Sequence, residues 1–115
     1  MKEDIRTYED CIQFIKHFYT KLLKDPLISH YFTPLNLDEH IPRVADFWAF
    51  ILIDQPGYQN NMMTAHAQLH LKNEDFDRWL SLFKDSINDL FEGEKTEMAI
   101  QRSEQIAWTI KSKLN

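Results

Sequence analysis

Apolar residues recur every three or four positions through four stretches of the chain, and each stretch is bounded by residues that start or stop a helix. Cys11, Phe14, Ile15, Phe18 and Leu22 form the first stripe, widened by Tyr19 and Leu23. Thr7, with Asp10 three residues on, has the form of an N-terminal cap. Pro26 stops the helix near Lys24, because proline lacks an N–H and disfavours helical geometry in the residue before it. Leu27 to Leu37 is dense in aromatics but too interrupted for a long helix, and reads as a corner. Asp38 then caps a helix starting near His40, with Val44, Phe47, Trp48, Ile51 and Leu52 inward and Pro42 in its first turn. Asp54-Gln55-Pro56-Gly57 is a turn, followed by a polar segment, Tyr58 to Ala65, in which Met62 and Met63 are the residues expected to be buried. Asn73 caps the third helix, whose face carries Phe76, Trp79, Leu80, Phe83, Ile87, Leu90 and Phe91, and Gly93 ends it. The last helix, about Glu94 to Leu114, turns Met98, Ala99, Ile106, Ile110 and Leu114 inward, while Lys111 and Lys113 complement its C-terminal dipole.

Composition narrows the class. With 115 residues the chain is expected to form one domain over 1–115, with room for a single core. Abundant aromatics and only two glycines argue against a turn-rich sheet, so the fold class is all-α. The net charge of −5 and scattered lysines leave no basic stripe for nucleic acid. Cys11 is the only cysteine, which excludes an internal disulfide and a thiolate zinc cluster; the absence of C-x-x-C-H excludes covalent c-type haem attachment. Met1 to Arg6 is charged, and no apolar run approaches the roughly 20 residues of a membrane span, so a soluble cytoplasmic protein without a membrane partner is expected.

Phosphate loops, dinucleotide fingerprints, H-E-x-x-H and G-x-S-x-G are absent. His66 and His70, four residues apart, would share a face on a continuous helix and suit zinc or di-iron together with Glu74. A di-iron bundle also needs a carboxylate-x-x-histidine motif from each of two helices, which neither His17 nor His40 supplies. On pattern alone Tyr19 reads as a core-edge tyrosine with its hydroxyl in water, Phe32 as core packing and His30 as a surface residue. His40 shares the face of Val44 and Phe47 and reads as a solvated histidine at its mouth.

Phe18-Tyr19, Phe32, His40, Phe47-Trp48, His66 and Trp79 form a larger constellation. It lies within F-Y-x-K-L-x-K-D, H-I-P-R-V-A-D-F-W, H-A-Q-L-H-L and F-D-R-W-L-S-L-F, and this ordered set resembles the truncated haemoglobins, short two-over-two α-helical globins, most closely their third group. The paired-glycine motifs of the first two groups are missing, in keeping with that likeness. The resemblance implies non-covalent haem b, with His66 as the proximal histidine and Trp79, thirteen positions later, in the distal pocket. It further implies that Tyr19 is the distal tyrosine, that Phe32 packs on the haem and that His40 stands over the open coordination position. Phe47 and Met62 are further expected haem contacts, and Arg43 or His70 a partner for a propionate. The implied ligands are O2, nitric oxide or another small diatomic molecule, in a monomer that a reductase could serve. Nitric oxide dioxygenase or peroxidase-like turnover stays open beside carriage and sensing, and no catalytic residue is assigned. The other readings are a non-haem metal protein using His66 and His70 and a cofactor-free helical interaction module.

Overall fold

The computed structural model describes residues 2–32, 36–56 and 72–114. Regular structure among them is entirely helical: α1 (Tyr8–Lys24), a short 3-10 turn (Ser29–Tyr31), α2 (Leu37–Ile53), α3 (Asn73–Leu90) and α4 (Glu94–Leu114). No helix among them is long and apolar enough to cross a membrane. The expectations for Met62, Met63, His66, His70, Lys113 and Leu114 fall outside the described residues and side chains.

Helix α1 begins as its sequence predicts. Thr7 Oγ1 accepts the Asp10 N–H at 3.1 Å, and Asp10 Oδ2 accepts the Thr7 N–H at 3.1 Å. Asp25, the residue before Pro26, leaves helical geometry and ends the helix. Helix α2 departs from expectation. Its cap is Asn36, whose Oδ1 accepts the Asp38 N–H at 3.2 Å, rather than Asp38 itself. It therefore starts at Leu37, and the His40 N–H closes the first turn on the Asn36 carbonyl at 2.9 Å. Pro42 then lies inside the helix, beyond its first turn, where it cannot donate to the Asp38 carbonyl. The buried row is Ile41, Ala45, Trp48, Ala49 and Leu52, with Val44, Phe47 and Ile51 only half-buried. Small alanines complete that row at helical spacing, whereas attention to bulky residues alone points to the neighbouring stripe.

Helix α3 starts at Asn73 without being capped by it; Asp75 reaches back to accept the Lys72 N–H at 3.0 Å. It ends at Leu90 with Phe91 as its C-cap, so Gly93 does not end α3 but introduces α4. Gly93 has φ +143°, and a Cβ there would lie 2.6 Å from Asp4 Cγ. The close approach serves α4, because Asp4 accepts the Lys95 N–H at 2.7 Å, the Thr96 N–H at 2.9 Å and the Thr96 hydroxyl at 2.9 Å. A carboxylate from the far end of the chain thus caps the last helix. On α4 the buried row is Ala99, Ser103, Ala107 and Ile110; Met98 and Ile106 are half-buried, and Lys111 reaches Asp77 at 3.5 Å.

The helices form two pairs laid on one another: α1 packs on α2 and α3, and α4 packs on α3 and α2. The expected two-over-two arrangement is borne out. Phe14 of α1 is central to it, edge-on to Phe83 of α3 at 5.8 Å and to Trp48 of α2 at 6.3 Å.

Burial raises the pKa of the Asp4 carboxyl, but N–H donors from Lys95, Thr96 and Ile5 outweigh it and hold the group below its ordinary value. A folded-state pKa below the unfolded one gives stability that is present above the unfolded value and fades as pH falls through the folded value. Asp4→Ala should cost about 1–2 kcal/mol at neutral pH, and Gly93→Ala about 1–3 kcal/mol. In urea unfolding, the gap between wild type and Asp4→Ala should shrink in acid; a gap constant down to the acid range would contradict the charged cap.

Candidate functional site

Adjacent residues on a helix point about 100° apart, so Phe18 and Tyr19 send one ring towards α3 and the other towards the corner and α2. Tyr19 is 5% exposed, and its hydroxyl lies 2.6 Å from His40 Nε2. The two rings meet edge to face at 5.2 Å. The water-exposed reading of Tyr19 is thereby overturned, because starting α2 at Leu37 brings a half-buried His40 over the phenol. Burial pushes the phenol pKa far above its ordinary value, so Tyr19 stays neutral. Depending on the imidazole tautomer, either the phenol O–H donates to Nε2 or the Nε2 proton is donated to the phenol oxygen.

This polar pair sits in an aromatic wall. Phe32, at the end of the corner, is buried and edge-on to Tyr19 at 6.0 Å. Phe18 lies 5.5 Å from Tyr19 on one side and 5.5 Å from Trp79 on the other. Trp79 stacks on Phe83 at 5.6 Å with planes 19° apart. Tyr19, Phe32, His40 and Trp79, separated by up to 60 positions in sequence, are therefore joined through one run of rings. Such a surface suits a flat apolar molecule with a small polar ligand at one point.

Other expected residues stand elsewhere. Arg43 is exposed. Phe47 packs edge-on to Trp48 at 5.2 Å and lines a groove of about 320 Å³ between α2 and α4, bordered by Ile51, Arg102 and Ile106 but not by Tyr19 or His40. His66, His70 and Met62 lie outside the described residues. No cluster of three or more potential metal-ligating His, Cys, Asp or Glu occurs among the described residues.

Two polar contacts beside the wall were not legible in the sequence. Asp25 is 5% exposed; its Oδ2 receives Arg78 Nε and Nη2, each at 2.5 Å, and its Oδ1 accepts the Leu27 N–H at 2.9 Å. Burial works against this charge, but Arg78 and the Leu27 and Ile28 N–H groups outweigh it and hold the carboxyl below its ordinary range. Asp75, 3% exposed, accepts the Tyr31 hydroxyl at 2.8 Å as well as the Lys72 N–H. An aspartate before proline reads as a turn and an arginine on a helix as a solvated cation, so neither pattern reports burial.

The bacterial-like globin family pattern matches residues 3–112. The group 3 truncated hemoglobin ctb of Campylobacter jejuni is 27% identical over 114 residues, spanning 93% of this chain and 90% of that protein. A group 1 truncated hemoglobin of Tetrahymena thermophila is 34% identical over 61 residues, 52% of this chain and 50% of that one. The crystal structure of group III truncated hemoglobin from Campylobacter jejuni matches with a TM-score of 0.89 at 26% identity, covering 100% of this chain and 96% of the other. The resemblance drawn from the sequence motifs is thus borne out.

Burial of the Tyr19 hydroxyl is open to direct measurement. In an alkaline titration followed by tyrosinate absorbance, Tyr19→Phe should leave the curve unchanged up to about pH 11, since an ordinary phenol titrates near 10. Loss of one tyrosine's amplitude near the ordinary value would contradict the buried pair.

Proposed function

The chain belongs to the bacterial-like globin family, which implies haem binding, and from that premise we propose that it holds non-covalent haem b on His66 and retains O2 or a related small ligand beside Tyr19, His40 and Trp79. The observation that carries the reading is the Tyr19–His40 pair, 2.6 Å apart beside the rings of Phe18 and Phe32. Haem, when bound, supplies an iron centre that takes a small diatomic ligand.

The described residues fit that cofactor chemically. Phe32 and the neighbouring rings offer carbon to a porphyrin face and keep water away from it. The imidazole of His66 would hold the iron of such a group. Met62 is assigned to cofactor packing, and Arg43, which is exposed, or His70 to a propionate, whereas Phe47, against Trp48 in the groove between α2 and α4, stands apart from the Tyr19–His40 pair.

Phenol O–H, imidazole N–H and indole N–H are hydrogen-bond donors, and a diatomic ligand that gains negative charge on binding is stabilised by donors in a low-dielectric pocket. One such donor contributes about 1.5–3 kcal/mol, roughly ten- to a hundredfold in ligand release. One proton of the Tyr19–His40 pair is spent within the pair, so the donor it leaves and the Trp79 indole N–H favour retention, which suits ligand chemistry or sensing better than bulk delivery. Turnover of nitric oxide or peroxide would need an electron donor such as a reductase.

Substitution separates the two histidines. His66→Gly should abolish stable haem retention while His70→Ala keeps it, as read from the absorbance of the purified variants; the reverse result would transfer the iron-binding role to His70. Tyr19→Phe should speed O2 dissociation about ten- to a hundredfold in stopped-flow measurements. An unchanged rate would remove Tyr19 from the ligand network.

A further inference from the structure

The corner between α1 and α2 is tied to α3 at two points. One is Asp25 with Arg78, the other Tyr31 with Asp75. Arg78 directly precedes Trp79, and Asp75 lies one helical turn before it. On the other side, Tyr31 directly precedes Phe32, and Asp25 follows Tyr19 by fewer than two turns of helix. Each tie therefore joins a neighbour of Trp79 to a neighbour of a residue that touches Tyr19, or of Tyr19 itself.

Ring packing between Phe18 and Trp79 has little directional preference and tolerates sliding, whereas hydrogen bonds of 2.5–2.8 Å do not. The two ties run in opposite order, residue 25 to 78 and residue 31 to 75, so together they fix both the tilt and the translation of α3 against the corner. Stability alone is a weak reason to bury two carboxylates, because well-packed apolar residues often serve as well.

We propose that Asp25, Arg78, Tyr31 and Asp75 are positioning residues of the ligand pocket, holding the Trp79 indole at a set distance and angle from Tyr19 and so setting how fast a bound diatomic ligand leaves. The inference rests on the haem reading above and adds residues outside the donor set proposed there. Removing a tie leaves the donors in place but spreads the indole over several positions.

The test uses haem-loaded protein, with O2 dissociation followed by stopped flow and the C–O stretching band of the carbonyl complex by infrared. Arg78→Gln should change the O2 dissociation rate about three- to tenfold and broaden or split the band, at unchanged haem stoichiometry. Tyr31→Phe, which removes a single oxygen, should move both readouts in the same direction by less, and decides the matter if Arg78→Gln fails to fold. Lys84→Ala breaks the exposed Lys84–Glu104 pair and should move neither. In a Trp79→Phe background, Arg78→Gln should add nothing further. Wild-type rates and bands in both haem-loaded variants, or an undiminished effect in the Trp79→Phe background, would overturn the positioning role alone. Failure of the wild-type chain to take up haem would instead overturn the haem reading, and this inference with it.

Discussion

A phenol oxygen taken out of water must find a partner or cost the fold about 1–3 kcal/mol, and the partner of Tyr19 is on another helix. The 2.6 Å contact with His40 constrains both elements. It needs α1 to run unbroken to its end near Pro26, so that Phe18 and Tyr19 face α3 and α2 together. It also needs α2 to begin early enough for His40 to lie in the first turn, which the Asn36 cap provides. The aromatic wall then follows, because Phe32 and Phe18 occupy the space around a ring that is already fixed.

The chain carries a net charge of −5, yet several of its acidic groups act as internal acceptors. Asp4 caps α4 from the opposite end of the sequence, Asp10 closes the capping box of α1, and Asp25 and Asp75 tie the corner to α3. Each carboxylate receives at least one backbone N–H, so each organises the path of the main chain as well as its own surroundings. Aromatic packing supplies the mass of the core, and these directional contacts determine how the packed helices stand to one another.

Local signals in the sequence were strong where one residue type has one physical meaning. Thr7 with Asp10 and Asp25 before Pro26 mark both ends of α1. Misreadings came where two residues compete for one role. Asn36 and Asp38 are both good caps, and a cap at Asp38 would start α2 later and place His40 at a solvated helix mouth. Gly93 suits a helix end as well as a close approach, and only the distant carboxylate of Asp4 decides between them. The family resemblance singled out Tyr19, Phe32, His40 and Trp79, which the fold joins through shared ring contacts. Asp25 and Arg78 stand 53 positions apart, and no local pattern states that they meet.

The central claim is that the aromatic wall and its polar pair form one side of a haem pocket. Titrating hemin into the purified chain, with the visible absorption spectrum recorded at each addition, tests it most directly. Uptake should saturate at one equivalent, with a sharp Soret band of protein-bound haem that shifts on reduction and exposure to carbon monoxide. A spectrum that remains that of free hemin throughout the titration would contradict it.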